Sequence, residues 1–244
     1  MKIAERLNAP PTRRAKNLVS KLRVPCLFSN SVKIKYQFHS AERWLITLPA
    51  FYCATSAREA VAWVLSDFCN FNTSPFLMHR NDITAIHIGL DAEPFKEITK
   101  LYVEYEVADR GTAYDAIKSS RGKSELHTYR TVDLRTSLSQ IDLAPTVTSH
   151  VYEIYNVAPA KIHVLEVTSN ATLRKSVDIN ISDLSIDEQR KINPTLETLT
   201  SRISGQDHLR LRLASAINHF ALGTDEKLQP FLTLYATPDW LEPS

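Results

Sequence analysis

The segment KLYVEYEV, residues 100–107, puts Lys100, Tyr102, Glu104 and Glu106 on one face of an extended chain and Leu101, Val103, Tyr105 and Val107 on the other. Three further segments alternate in the same way. RKSVDINI sets Arg174, Ser176, Asp178 and Asn180 against Lys175, Val177, Ile179 and Ile181. SVKIKYQF sets Lys33, Lys35, Gln37 and His39 against Val32, Ile34, Tyr36 and Phe38, and AIHIGL sets His87 and Gly89 against Ile86, Ile88 and Leu90. Lysine and arginine donors with tyrosine hydroxyls around one space suit a dense anion such as a diphosphate. Tyrosine π faces stabilise a cation, and a carboxylate beside them can take up a proton.

The elements that must position these side chains are partly written twice. IGLD, Ile88–Asp91, answers LGTD, Leu222–Asp225, and TKLY, Thr99–Tyr102, answers LTLY, Leu232–Tyr235. Each copy reads as a histidine-bearing strand, a Gly-x-Asp turn and a strand ending in Leu-Tyr. Before the first copy, SVKIKYQF (31–38) and RWLITLPAFY (43–52) read as strands, and residues 55–71 read as a helix capped by Thr55 or Ser56. Residues 109–148 carry little signal beyond a short strand at LHTYRTVD and a break at Pro145. After them HVYEIYNV, KIHVLEV and RKSVDINIS read as three strands. SIDEQRKINPTLETLTSRI reads as a helix despite Pro194, and DHLRLRLASAI as a helix leading into the second copy.

The fold class expected is therefore α+β, with repeated αββα units whose hairpins join into one antiparallel sheet covered by helices on its apolar face. Closure into a barrel removes the sheet edges and turns the polar faces inward, around a wet or ligand-filled chamber. The alternation by itself also fits an open antiparallel sheet with its polar face in water.

Composition bounds the reading. The chain has 244 residues, 43% of them hydrophobic and 23% charged, with five glycines and twelve prolines, as expected of a globular protein with a sizeable core. Net charge is +2, too weak a bias to imply nucleic acid. The basic run Thr12–Arg23 (Arg13, Arg14, Lys16, Lys21 and Arg23, no acid) reads as a solvated amphipathic helix. Three cysteines, Cys26, Cys53 and Cys69, have neither an even count nor metal-ligand spacing. No leader and no apolar run of membrane length is evident, so a cytoplasmic protein is expected. The expected organisation is a basic segment at 1–24 and one barrel domain at 25–244.

The G-x-D…K-L-Y pattern at Gly89, Asp91 and Lys100–Tyr102, the R-K-S-V-D-I-N strand at Arg174–Asn180 and the closing A-L-G-T-D…P-F-L-T-L-Y at Ala221–Tyr235 resemble the ABBA-fold prenyltransferases over roughly residues 30–238. In length and compactness the chain resembles the cyanobactin-type peptide prenyltransferases. The resemblance implies a ten-stranded barrel (PT barrel) ringed by helices, with a dimethylallyl or geranyl diphosphate and a peptide or small aromatic acceptor inside it. It implies diphosphate binding by Lys100 and Arg174, with Lys35 added by its alternation, and shielding of the allyl cation by Tyr102 and Tyr235. Family members often carry an acceptor-orienting glutamate on the first strand pair, and SNSVKIK has none. Glu42, in the following turn, and Glu104, inward by alternation, are the candidate catalytic acids. His87 and Asp178 are candidate acceptor-facing residues. Magnesium with the diphosphate is compatible with this scheme; no organic cofactor is expected, and the protein is expected to act as a monomer without nucleic acid or membrane.

Other chemistries have less support. His87, His163 and His219 lack metal-ligand spacing, so no metal site is assigned. There is no nucleophile elbow and no glycine-rich phosphate loop. A non-catalytic barrel binding an isoprenoid, another anion or a peptide fits the missing first-strand glutamate; an RNA-binding sheet lacks any matching aromatic run.

Overall fold

The structure, a computed structural model, describes residues 3–39, 42–53, 55–69, 81–93, 96–106, 114–120, 123–172, 175–205 and 217–244. Its helices are α1 (Ile3–Leu7), α2 (Arg13–Leu22), α3 (Thr55–Cys69), α4 (Leu134–Ser139), α5 (Pro145–Val157) and α6 (Ile186–Ser204). Its strands are β1 (Cys26–Lys35), β2 (Phe38–His39), β3 (Glu42–Leu48), β4 (Ile83–Glu93), β5 (Lys96–Glu106), β6 (Tyr114–Ser120), β7 (Lys123–Thr131), β8 (His163–Ser169), β9 (Lys175–Asn180), β10 (Ile217–Thr224), β11 (Pro230–Ala236) and β12 (Asp239–Leu241).

All twelve strands belong to one sheet, in the order β11-β10-β9-β8-β7-β6-β5-β4-β3-β1, with the short β2 and β12 both pairing β1. The second half of β1 also pairs β11, Ser31 opposite Tyr235 through Ile34 opposite Leu232. The ten main strands thus close into an antiparallel barrel and leave no long edge. Helices cover the apolar face, as the αββα reading predicts.

Contacts divide the chain into two compact units. The first comprises residues 1–8, 31–40 and 130–237, and its core joins Val32 and Ile34 of β1, Val177 and Ile179 of β9, Phe220 and Leu222 of β10, and Leu232 and Leu234 of β11 to the helices α5 and α6. In α6 the buried Ile192, Leu196, Leu199 and Ile203 recur at helical spacing, and Ser185 and Glu188 form a capping box. Pro194 sits inside this helix, and Gly205 ends it with φ +67°. The second unit comprises residues 9–30, 41–129 and 238–244. Its core packs Phe28, Trp44, Ile46, Ile86, Ile88, Leu101 and Val103 against α2 and α3. The basic run is α2, capped by Thr12, with Ala15, Leu18 and Val19 buried.

Several sequence expectations change. HVYEIYNV is the body of α5, not a strand: its alternation is accidental, whereas Val147, Val151 and Ile154 are buried at helical spacing behind a Pro145 that starts the helix. The Gly-x-Asp of the first copy is no turn, because Gly89 and Asp91 are residues of β4. In the second copy Gly223 lies inside β10, which ends at Thr224, and Asp225 turns. The first strand begins earlier than expected and stops at Lys35, since Gln37 takes a positive φ of 51°. The next strand stops at Leu48, after which residues 50–53 coil into a short helical turn. The illegible stretch from 109 holds β6 and β7 followed by α4. The expected helix at 207–217 lies outside the described residues except Ile217, which starts β10. No helix among the described residues is long and apolar enough to cross a membrane.

Candidate active site

With the apolar strand faces packed on helices, the opposite faces turn to the barrel interior, and each unit contributes one. In the second unit this face is a grid fixed by strand register. Thr47 stands opposite His87, His87 opposite Tyr102, Tyr102 opposite Lys118, and Lys118 opposite Glu125. One row further along, Ala85, Glu104, Ala116 and His127 stand in line, and beyond them Glu106, Tyr114 and Tyr129.

The grid is electrostatically interlocked. The Asp91 carboxylate, its side chain 6% exposed, lies 2.6 Å from the Lys100 ammonium and 3.7 Å from the Arg43 guanidinium. Lys100 and Arg43 thus share one acid and present ammonium and guanidinium N–H groups, the donor types that bind a diphosphate. Thr47 Oγ1 is 2.8 Å from Nδ1 of His87, and Nε2 of the same ring is 3.2 Å from Glu104 Oε1, off the axis for a hydrogen bond. Glu125 lies 3.3 Å from His127 Nε2 and 3.6 Å from Lys118 Nζ. Tyr114 and Tyr129 stack with ring centroids 4.5 Å apart and planes 9° apart, giving the face an aromatic wall.

The first unit's face runs from the second half of β1 to β9. Its centre is His219, directly opposite both Tyr235 and Asn180. The His219 and Tyr235 rings stack at 4.0 Å and 15°, and Nε2 lies 3.9 Å from Asp178. The Lys33 ammonium sits 5.0 Å from the Phe231 ring centroid. Lys35, at the strand end, binds Asp225 at 2.5 Å. Burial opposes the charge of Asp225, yet Lys35 and the amides of Gln229 and Lys227 hold its carboxyl below the ordinary range.

The structure therefore brings Lys100, Tyr102, Glu104 and His87 together on one face, and Tyr235 and Asp178 on the other. Lys35 lies at the rim of its face, tied to Asp225. Glu42 opens β3, but its side chain lies outside the described residues, as does Arg174 altogether.

The repeat has a structural meaning that a comparison of glycines hides. His87 precedes Gly89 by two residues and His219 precedes Gly223 by four, so the histidines do not align on the glycines. Register aligns them: each hairpin sets a histidine opposite its Leu-Tyr tyrosine, with a carboxylate nearby. Sequence reasoning passed over Thr47, Lys118, Glu125 and His127 as well. A usable signal was present for the last three, because YDAIKSS and KSELHTYRT alternate as KLYVEYEV does.

No protein-family model matches the sequence, and no curated protein matches it. Solved structures do match in fold. The 5-dimethylallyltryptophan synthase from Streptomyces coelicolor superimposes with a TM-score of 0.58 at 13% identity, over 96% of this chain and 89% of that one. AnaPT from Neosartorya fischeri gives 0.54 at 11% identity, over 86% and 78%. NotF prenyltransferase gives 0.57 at 9% identity, over 86% and 80%. At these identities the likeness is one of fold: the closed barrel ringed by helices expected of an ABBA prenyltransferase.

Proposed function

We propose that the chain is a prenyltransferase that moves a dimethylallyl or geranyl group from its diphosphate to a nucleophilic acceptor inside the barrel. The observation that carries this reading is the interior grid in which Lys100 and Arg43, both paired with Asp91, share a face with the Tyr102 ring, His87 and the Glu104 carboxylate, so that cationic donors, an aromatic face and a carboxylate lie together. The fold neighbours' names support it, since each is called a prenyltransferase or a dimethylallyltryptophan synthase or shares that fold.

In this scheme Lys100 and Arg43 stabilise the leaving diphosphate as its C–O bond ionises, joined by Arg174 through the family resemblance and by Lys35 through its strand alternation. Tyr102 and Tyr235 stabilise the allyl cation and exclude water. The acceptor's electron pair forms the new bond to the cation, and Glu104, with Glu42 as the rival, takes the released proton. His87 and Asp178 face the acceptor. The acceptor assigned is an indole, free or within a short peptide. The name of the Streptomyces neighbour favours the free form, and the resemblance to cyanobactin-type enzymes favours the peptide.

Mass spectrometry of purified protein with dimethylallyl and geranyl diphosphates, tryptophan and short Trp, Tyr, His or Arg peptides tests the proposal. A gain of one prenyl unit identifies donor and acceptor together. Diphosphate binding without any product would replace the enzyme by a binding barrel. The assay is repeated with EDTA, since the sequence holds no clustered acid motif to cage magnesium; surviving turnover assigns the diphosphate charge to side chains alone.

A further inference from the structure

We infer that Thr47 and His87 form a positioning dyad that aims the Glu104 carboxylate at the acceptor's proton; the inference rests on the prenyl-transfer reading. Three adjacent strands supply its parts. Thr47 of β3 and His87 of β4 are direct cross-strand partners, and Glu104 of β5 lies diagonally from His87, opposite Ala85. The ring is thereby hydrogen-bonded at one nitrogen, with Thr47 Oγ1 2.8 Å from Nδ1, and its other nitrogen, Nε2, lies 3.2 Å from Glu104 Oε1 without hydrogen-bond alignment.

Charge decides which nitrogen carries the proton. An ionised carboxylate beside a bare Nε2 lone pair is repelled, so Nε2 bears the hydrogen and faces Glu104. Nδ1 is then the acceptor, and Thr47 donates its hydroxyl hydrogen to it. Thr47 thus fixes the tautomer of the ring, and the ring turns its Nε2–H side towards one oxygen of the acid. A small rotation of the Glu104 side chain would align the 3.2 Å Nε2–Oε1 contact into a hydrogen bond.

Glu104 keeps its second oxygen for chemistry, and its side chain, 23% exposed, is reachable from the interior. The reaction then balances. The C–O bond of the prenyl diphosphate breaks with its electron pair on the diphosphate, the acceptor's pair forms the new bond to carbon, and the acceptor's proton passes to Glu104. His87 neither gains nor loses a proton in this step. It differs from a catalytic base in that respect, and its removal should act through orientation.

The test combines kinetics with nitrogen NMR of the whole chain. In ¹⁵N spectra of the histidine rings, His87, assigned by its absence in His87→Leu, should show a protonated Nε2 and a bare Nδ1. Thr47→Val should mix the two tautomers, and Thr47→Ser should restore one. In the transfer assay Thr47→Val should lower kcat by about 10–100-fold with KM for both substrates held within about twofold, the signature of lost orientation rather than lost binding. Thr47→Ser should recover most of that loss. A wild-type ring protonated at Nδ1, or a Thr47→Val enzyme with unchanged kcat, overturns the dyad. The spectra need no turnover, so wild-type protein that forms no prenylated product defeats the transferase reading separately, while the tautomer still tests the geometry.

Discussion

Single side chains in this barrel are set by their neighbours' charges, and Asp225 shows the consequence for stability. Its carboxylate is buried and binds Lys35 and the amides of Lys227 and Gln229, closing the turn between β10 and β11. Its folded-state pKa is depressed. Stability from this group is therefore fully present above the ordinary carboxylate pKa of about 4 and is lost as pH falls through the lower, folded value. Asp225→Asn should cost about 1–3 kcal/mol at pH 7, and the difference from wild type should shrink below about pH 4. Thermal melts of both proteins from pH 7 to pH 3 measure this; a constant difference would mean the carboxylate's charge contributes nothing. Lys100 behaves differently. Removing it leaves Asp91 the Arg43 guanidinium at 3.7 Å, so Lys100→Ala should fold normally while losing activity.

At the scale of the element, the two copies of the repeat make opposite demands on their glycines. A Cβ on Gly223 would stand 2.2 Å from the Lys175 carbonyl oxygen and 2.6 Å from Ser176 Cβ, because β9 and β10 approach closely there. A Cβ on Gly89 would meet Leu45 and Tyr102 at 3.5 and 3.7 Å, ordinary contact distances. Gly223→Ala should therefore lose about 1–3 kcal/mol, and Gly89→Ala should stay within about 0.5 kcal/mol of wild type. Urea titrations of the pair decide it, and equal losses would refute the close-approach argument. The capping box of α6 gives a second check. The Lys161 ammonium, 2.9 Å from Glu188, and the Ser185 amide and hydroxyl lower the Glu188 carboxyl to about 2. Ser185→Ala removes the cap and should destabilise the protein by about 1 kcal/mol, read from the same titrations.

For the molecule as a whole, a closed ring of strands fixes the interior before any ligand arrives. Ligands that bind only the folded barrel should raise its melting point by mass action. Geranyl diphosphate at about a hundred times its Kd should add about 2.7 kcal/mol of stability, and Lys100→Ala should abolish most of that gain at the same concentration. Differential scanning fluorimetry gives the answer, and an unshifted wild-type melt would remove the diphosphate from the interior. Pyrophosphate alone should stabilise less than the prenylated form, because the stacked Tyr114 and Tyr129 give the prenyl tail an apolar surface.

What the sequence determined by itself was the alternation, and with it the faces. Strands β1, β4, β5 and β9 set Lys33 and Lys35, His87 and Gly89, Lys100, Tyr102, Glu104 and Glu106, and Ser176, Asp178 and Asn180 opposite their apolar neighbours, because a pleated strand reverses its side chains at every residue, whereas Gln37 falls in the turn after β1. Helical spacing likewise determined α3, and local capping with helical spacing determined α6. HVYEIYNV was misread because a short run of alternating residues carries no information about burial, and its helical face became visible only against the sheet. Tertiary structure alone decided which strands are neighbours. Register across β3, β4 and β5 placed Thr47, His87 and Glu104 within reach of one another, and register across β6 and β7 added Lys118, Glu125 and His127. Such cross-strand contacts depend on loop lengths and bulges far from the residues concerned, so no local pattern encodes them.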